Sequence, residues 1–468
     1  MEDKMKIKHL FVIISIMLLT SLSAQESKNP VKVHGFMGQS FIFSQENDFL
    51  VANSEKGSHE LNEVGLTITS QISPKFRVGF QLLSRDFGDL DNNKTQLDWA
   101  FADYRYKDYL GVRFGRVKLP YGLYNEGRDT DILRPMVFLP QSVYDENYRP
   151  YLLAYQGTGI YGNYSHDKIG SFDYNFYSGG MNLNKDEMVM RVTNDIASSV
   201  VYAGVQKAFY QSVMNAFLGQ GLSAADAQTQ TGLVMGATTF DFAYEYTEAR
   251  CTQLFGGTLF WNTPVNGLRT GFSFTRVDLD FYSPKTIATI DAPAPFGTNT
   301  LNFTKKRDGG IPARWAVSGE WQYNTFTFAS EFNKTTLRQN FYDETTLAKT
   351  AKLERDEISY YGMLSWMMND QITFSLLYDF VKIDRQEAIT PAGTTDLLAG
   401  TDDWRNQRSD IAFGGRYDFN SNITFKAEYH LMNGYAKVYS EYLDPIDNSA
   451  AGAEENWSYA IFKASYNF

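Results

Sequence analysis

The chain has 468 residues, 43% of them hydrophobic and 15% aromatic, with 30 Tyr and 35 Phe beside a formal net charge of -11 and a mean hydropathy of -0.35. Beyond the N-terminus no stretch reaches the roughly 18 to 20 apolar residues a spanning helix needs, which excludes a helical membrane protein, and the aromatic and β-branched content excludes a disordered chain. The single cysteine, Cys251, leaves no internal disulfide, and no basic run interleaved with aromatics supports nucleic-acid binding.

At the start of the chain Lys4, Lys6 and Lys8 precede an apolar run from Leu10 to Leu19, followed by Ser21, Leu22, Ser23 and Ala24. A positive segment, a short apolar segment and small residues predict a secretory signal peptide over residues 1–24. The alternative, an anchor helix, has too short an apolar run to span comfortably. Translation from Met5 is also compatible. Cleavage after Ala24 removes three Lys and two acids, Glu2 and Asp3, so 40 basic residues face 52 acidic ones, a charge of about -12.

From Val31 onward the dominant pattern is alternation at period 2, which predicts strands with two different faces. Phe76, Val78, Phe80 and Leu82 oppose Arg77, Gly79, Gln81 and Arg85. Ile372, Phe374, Leu376, Tyr378 and Phe380 oppose Thr373, Ser375 and Asp379, and Ile423, Phe425, Ala427 and Tyr429 oppose Thr424, Lys426, Glu428 and His430. Seven tight turns punctuate these runs, near Ser73-Pro74, Lys107-Asp108, Asp167-Lys168, Val265-Asn266, Asn324, Asn369-Asp370 and Ser421. Eight longer polar segments lie between them, around residues 44–58, 86–94, 117–155, 181–250, 282–310, 339–352, 385–405 and 437–453. Seven short and eight long connections make sixteen strands in one meander. Short turns at one end and long loops at the other predict an all-β, sixteen-stranded antiparallel transmembrane barrel, a single domain over residues 25–468.

A soluble sandwich or propeller also has many punctuated strands. It would have to bury one of the two faces, and here one face is rich in Phe, Tyr and Trp while the other carries Arg, Glu, Asp, Ser and Thr, which are costly in a dry core. Lipid outside and water inside satisfy both. The chain ends on alternating Ala460, Phe462, Ala464, Tyr466 and Phe468. This final strand resembles the C-terminal signature of bacterial outer-membrane proteins and implies the outer membrane of a diderm bacterium, with lipid and lipopolysaccharide around the barrel.

The third long segment runs from Gly115-Arg116 through the Pro120-Tyr121-Gly122 turn to a re-entry strand at Gly157-Thr158-Gly159. It resembles the bacterial porin superfamily, the general porins and the phosphate-selective branch, in which the loop after the fifth strand folds into the lumen and narrows it. The resemblance implies a constriction loop over residues 117–155 and a homotrimer. Selectivity at a constriction needs charges at close quarters. Residues 116–155 supply Arg116, Lys118, Arg128, Arg134 and Arg149 against Glu126, Asp129, Asp131, Asp145 and Glu146, a sum of zero. Candidate partners on the lumen wall are Arg77, Arg85, Arg113, Arg269 and Arg416. Such a balance suits acids on the loop facing bases on the wall; ordinary ion pairs that fix the loop are the competing reading. It departs from the basic narrow zone of phosphate-selective porins, so phosphate or other anions, and sugars guided by Tyr121, Tyr124, Tyr144, Tyr148, Tyr151 and Tyr155, stand as alternative cargoes. Those tyrosines would equally pack the loop against the wall.

In the fourth segment, 181–250, alternation stops. Ile196, Val200, Val201, Val205, Phe209, Val213 and Phe217 fit one helix face, and Ser223 with Asp226 predicts a capped second helix. The pair could cover the pore mouth or bind a partner, or be a packed hairpin without a ligand. No HExxH, GxSxG or phosphate-cradling motif is present, so no enzyme, metal or cofactor is expected; His430 beside Glu428 is the one candidate for acid-base chemistry. The sequence therefore predicts a porin for passive diffusion of small hydrophilic solutes and ions, with a structural or adhesive barrel as the alternative from another class.

Overall fold

The computed structural model describes residues 31–88, 91–131, 134–183, 205–244, 249–281, 285–343, 349–386, 404, 406–438 and 453–468. The expected signal peptide, and Ile196, Val200 and Val201 of the expected helix face, lie outside these residues. Among the described residues eighteen strands follow in chain order. The first seven are β1 (Val31–Gln45), β2 (Ser58–Ser73), β3 (Phe76–Phe87), β4 (Gln96–Lys107), β5 (Leu110–Lys118), β6 (Ala154–His166) and β7 (Gly170–Gly180). The next five are β8 (Thr239–Tyr244), β9 (Ala249–Asn262), β10 (Leu268–Phe281), β11 (Lys285–Asp291) and β12 (Thr298–Tyr323). The last six are β13 (Phe326–Asp343), β14 (Lys349–Met367), β15 (Ile372–Gln386), β16 (Gln407–Asp418), β17 (Ile423–Gly434) and β18 (Asn456–Asn467).

Sixteen of them form one antiparallel barrel. Each pairs with its neighbour in the chain once β8 and β11 are set aside, with β7 on β9 and β10 on β12. β1 closes the ring by pairing with β2 on one side and β18 on the other. Among the described residues no edge of this ring is left open, which is what a membrane interior demands of a sheet. All seven short turns of the sequence reading join consecutive barrel strands.

The two faces sort by chemistry. Val317, Trp321, Phe328, Leu364, Trp366, Phe374, Leu376, Phe413, Phe425 and Phe462 stand exposed on the outside. Their opposite numbers, among them Ser318, Glu331, Ser365, Ser375, Asp379, Lys426, Glu428 and His430, are buried inside. Burial here is inverted with respect to a soluble protein, since the apolar side chains wait for lipid and the polar ones meet in the lumen.

Two features differ from the sequence expectation. Residues 282–310 and 339–352 are largely strand, because β12 begins at Thr298, β13 runs to Asp343 and β14 starts at Lys349. These strands continue beyond the apolar band, where both faces carry polar side chains and alternation gives no signal. On this extension sits a small outer sheet in which β11 pairs with β12 and β8 with β11. Helical residues 205–219 pack on it, and the helix Ala224–Gly236 follows, capped by Ser223 Oγ accepting from the Asp226 amide at 3.2 Å and touching Met214 through Thr231. Val205, Ala288 and Ile290 form its core, with Phe209 and Phe240 against them.

Candidate functional site: the loop inside the barrel

The third loop leaves β5, crosses the lumen and returns to β6. Its neck is closed by the Leu119 amide donating to the Leu153 carbonyl at 2.7 Å, one rung beyond the regular β5–β6 ladder. Gly122, at φ +60°, makes the entering turn with Pro120, and a Cβ there would strike the Tyr144 hydroxyl and the Glu331 carboxylate. A short helix, Arg149–Leu152, leads back to the wall.

The loop packs as a core element. Leu119, Tyr121, Met136, Leu139, Val143 and Tyr144 form one buried cluster with wall residues Tyr177, Leu254, Ala316, Ala329, Tyr361, Met363, Leu377 and Ala412. A second cluster joins Val137 and Phe138 to Phe49, Leu50 and Val51 of the first long loop and to Trp457, Tyr459 and Ile461. Sequence reading missed this apolar filling. Its signal was present in the Met136–Leu139 run, which no pore-lining role requires.

Charged side chains complete the packing through three networks. In the first, Asp131 receives Lys463 at 2.9 Å, Arg134 at 2.9 Å, Lys426 at 3.1 Å and the Ser465 hydroxyl at 2.7 Å, and Lys463 also reaches Glu63 at 2.5 Å. In the second, Arg149 lies between Asp98 at 3.1 Å and Asp129 at 2.5 Å, and Lys118 meets Asp129 at 2.6 Å. Glu146 bridges Arg85 and Arg128, both at 2.7 Å, and Arg85 reaches Asp91 at 3.2 Å. In the third, Lys437 pairs with Glu357 and lies 3.7 Å from Asp145. Arg128, Asp129, Asp131, Arg134, Asp145, Glu146 and Arg149 are thus buried in pairs rather than set around open water. Of the loop acids, Glu126 alone keeps a largely exposed side chain, 47%, with Arg113 at 3.4 Å.

Among the wall arginines, Arg85 belongs to the Glu146 bridge. Arg416 is held by Asp418 at 2.8 Å and donates to the Arg134 carbonyl at 3.1 Å. Arg77 and Arg113 share Asp103, at 2.9 and 3.7 Å, and Arg269 lies 3.9 Å from Asp173. Arg113 and Arg269 also lie over the rings of Tyr161 and Phe260, at 4.3 and 4.2 Å. Arg77, Arg113 and Arg269 stand on the lumen-facing parity of β3, β5 and β10.

Arg116 departs from the expectation of a constriction residue. Val117 is buried toward the lumen while Val112 and Phe114, on the other parity of β5, are exposed; Arg116 shares their parity and so lies on the outer face. Its Nε donates to the Asp98 carbonyl at 2.8 Å. Setting it aside leaves four bases against five acids in the loop.

His430 is held by Asp410 at 2.8 Å and Glu428 at 3.1 Å and stacks on Tyr459 at 4.0 Å between centroids. Both of its ring nitrogens therefore face carboxylates.

Burial alone would raise the carboxyls of Glu146, Asp129 and Asp131. The facing cations outweigh it and hold all three below the ordinary carboxylate range: Arg128 and Arg85 for Glu146, Arg149 and Lys118 for Asp129, Lys463 and Lys426 for Asp131. Asp145 goes the other way, because burial exceeds the pull of Lys437. A depressed folded value contributes stability that is complete above the unfolded value, about 4, and is lost only as pH falls through the folded one. Protonating Asp145 removes a buried charge, so it does not subtract from this stability. Amide exchange in the loop should therefore stay protected from pH 7 down to about 5; loss of protection at pH 6 would show that these pairs do not hold it.

No family model and no curated protein sequence matches the chain. Solved structures with a similar fold include OmpF of Salmonella typhi in complex with daunomycin, at 12% identity over 94% of this chain and 98% of that one, with a TM-score of 0.49. The outer-membrane channel DcaP of Acinetobacter baumannii is similar at 8% identity over 96% and 100%, with a TM-score of 0.46. An anion-selective porin from Comamonas acidovorans is similar at 10% identity over 94% and 100%, with a TM-score of 0.45.

Proposed function

We propose that the protein is a porin-type channel of a diderm outer membrane, passing small hydrophilic solutes and ions under the control of its third loop. The observation that carries this reading is a closed sixteen-stranded ring with an apolar exterior and a charged interior crossed by an inward loop. A purely structural or adhesive barrel has no need of so many paired charges in its lumen. The water-facing groups Arg77, Arg113, Arg269 and Glu126 are the proposed selectivity residues, mixed in sign, which favours general passage over a phosphate-only pore.

Arg116 supports a homotrimer. On the outer face its rung reads Ala100, Arg116, Gln156 and Gly180 across β4 to β7, with no large apolar side chain to offer lipid. A charge toward lipid is costly, so contact with a neighbouring subunit suits this patch better. Elsewhere the barrel would meet lipid and lipopolysaccharide.

The test is permeation. Vesicles carrying the folded chain should take up small sugars and amino acids and show stepwise ion conductance across a planar bilayer. A barrel in which residues 122–148 are replaced by a short Gly-Ser linker serves as the open control. If that control conducts while the intact chain stays impermeable at every voltage applied, the channel reading fails.

A further inference from the structure

We propose that the barrel wall carries two stacking sites for planar aromatic anions, one on Arg113 and one on Arg269. The inference rests on the channel reading and names a class of solute that the channel favours.

Both sites are built in the same way. In the first, Tyr161 of β6 pairs with Gly111 of β5; in the second, Phe260 of β9 pairs with Gly271 of β10. Cross-strand partners share a face of the sheet, here the lumen face on which Arg113 and Arg269 also stand. A Cβ on either glycine would strike the ring of its partner. Each ring therefore lies across the bare backbone of the neighbouring strand instead of standing out from the wall. Two residues from each glycine, on the glycine's own strand, an arginine folds over that ring. The guanidinium carbon of Arg113 is 4.3 Å from the Tyr161 centroid, and that of Arg269 is 4.2 Å from the Phe260 centroid. The result is a three-layer stack of backbone, ring and guanidinium. In the first stack the Tyr161 hydroxyl also donates to Asp103 at 2.6 Å, which fixes the ring.

These two arginines hold their charge differently from the buried ones. Arg85, Arg128 and Arg149 meet carboxylates at 2.5 to 2.7 Å. Among the described residues the carboxylates within 4 Å of Arg113 are Glu126 at 3.4 Å and Asp103 at 3.7 Å, and for Arg269 there is Asp173 at 3.9 Å. The Nε of each has no hydrogen-bond partner among the described residues, and the side chains are 23% and 36% exposed. The ring holds the guanidinium in place, so its charge stays available to a solute. One face of the guanidinium rests on its own ring, which leaves the opposite face for the lumen. Such a face takes a planar π system, and its charge selects an anion. An aromatic carboxylate offers both. β5 and β10 are four strand spacings apart in the ring, about 19 Å along the wall, so no small solute bridges the two. Separate weak sites hold a passing anion without trapping it, which is what permeation requires of binding.

The test compares benzoate with cyclohexanecarboxylate, anions of equal charge on six-membered rings, of which only the first is flat and aromatic. Reversal potentials are read across a planar bilayer holding the full chain, with a protein-free bilayer as the blank. Benzoate should be the more permeant by about two- to fivefold, the factor for a cation–π contact of about 0.5–1 kcal/mol. Arg113→Lys combined with Arg269→Lys keeps both charges but removes both planes, and should bring the ratio close to one. Tyr161→Ala combined with Phe260→Ala should lower it too, by removing the layer beneath each guanidinium. Arg276→Lys, between the lumen-buried Thr275 and Val277 and so on the outer face of β10, should leave it unchanged. A variant that only alters the width or overall charge of the lumen does not move this ratio, because both anions feel that change alike. Heat-modifiable electrophoretic mobility reports that each barrel is folded; if the alanine pair does not fold, the lysine pair carries the comparison. Equal permeabilities in the intact chain, or a benzoate preference that the lysine pair leaves in place, overturns the stacking sites and leaves the channel standing. An intact, folded chain that does not conduct overturns the channel reading, and the stacking sites with it.

Discussion

Asp131→Ala should cost about 3–5 kcal/mol, the range found when one member of a buried ion cluster is removed. Its carboxylate is 1% exposed, and two of its partners, Lys426 and Lys463, have side chains 0% and 5% exposed. Among the described residues, removal leaves Lys426, Lys463 and Arg134 with one carboxylate within 4 Å, Glu63, which lies 2.5 Å from Lys463 and 3.7 Å from Arg134. Arg134 and the two lysines are then left to share that one carboxylate, and the loop also loses its hold on β17 and β18. The expected signs are a lower denaturant midpoint and faster proteolysis at residues 120–152. Asp131→Leu combined with Lys426→Met should recover part of the loss, because an apolar pair of similar volume can replace a buried ion pair at little cost. An Asp131→Ala protein as stable and as protease-resistant as the parent would remove this cluster from the account of how the loop is held.

Leu376→Arg should be the most damaging single change on the outer wall. Leu376 is 45% exposed on β15, paired with Leu364 on β14 and Phe413 on β16, both also exposed. A soluble protein tolerates an arginine at an exposed strand position with a change of about 0.5 kcal/mol or less. At the middle of a bilayer the same side chain costs about 2–4 kcal/mol. Thr327→Arg, on the lumen-facing parity of β13 opposite Gln322 and Ser365, should stay near the soluble figure because these neighbours are uncharged and the position looks away from lipid. Urea unfolding from lipid vesicles separates the two: equal stabilities would mean that the aromatic face does not look onto lipid.

The barrel was legible in the sequence because lipid and water impose opposite chemistry on neighbouring residues, and Phe374, Ser375 and Leu376 record that directly. The seven turns were legible for the same reason, as interruptions of the alternation. Where both faces meet water the rule is silent, and the upper parts of β12, β13 and β14 were read as loops. Arg116 is a different case. It stands three residues from Arg113, an odd spacing that places the two on opposite faces, but its position at the mouth of the loop drew it into the constriction set. The loop's partners were the least accessible. Asp131 and Lys463 are 332 residues apart, Ser142 and Asp379 237, and nothing local to any of the four announces the contact.

That separation also orders the protein's assembly. The loop belongs to the first third of the chain, whereas Glu331, Asp379, Glu428, Lys426 and Lys463 arrive with the strands that complete the ring. Contacts of such high sequence separation form late. The pairs of Arg85, Asp98, Arg128, Asp129, Glu146 and Arg149 need only the first third of the chain, whereas the amides of Leu123, Val137 and Ser142 have only water until the later strands arrive. Closing the circle of strands and plugging it are then successive events, and the last residues of the chain bring the final piece of the stopper's socket into place.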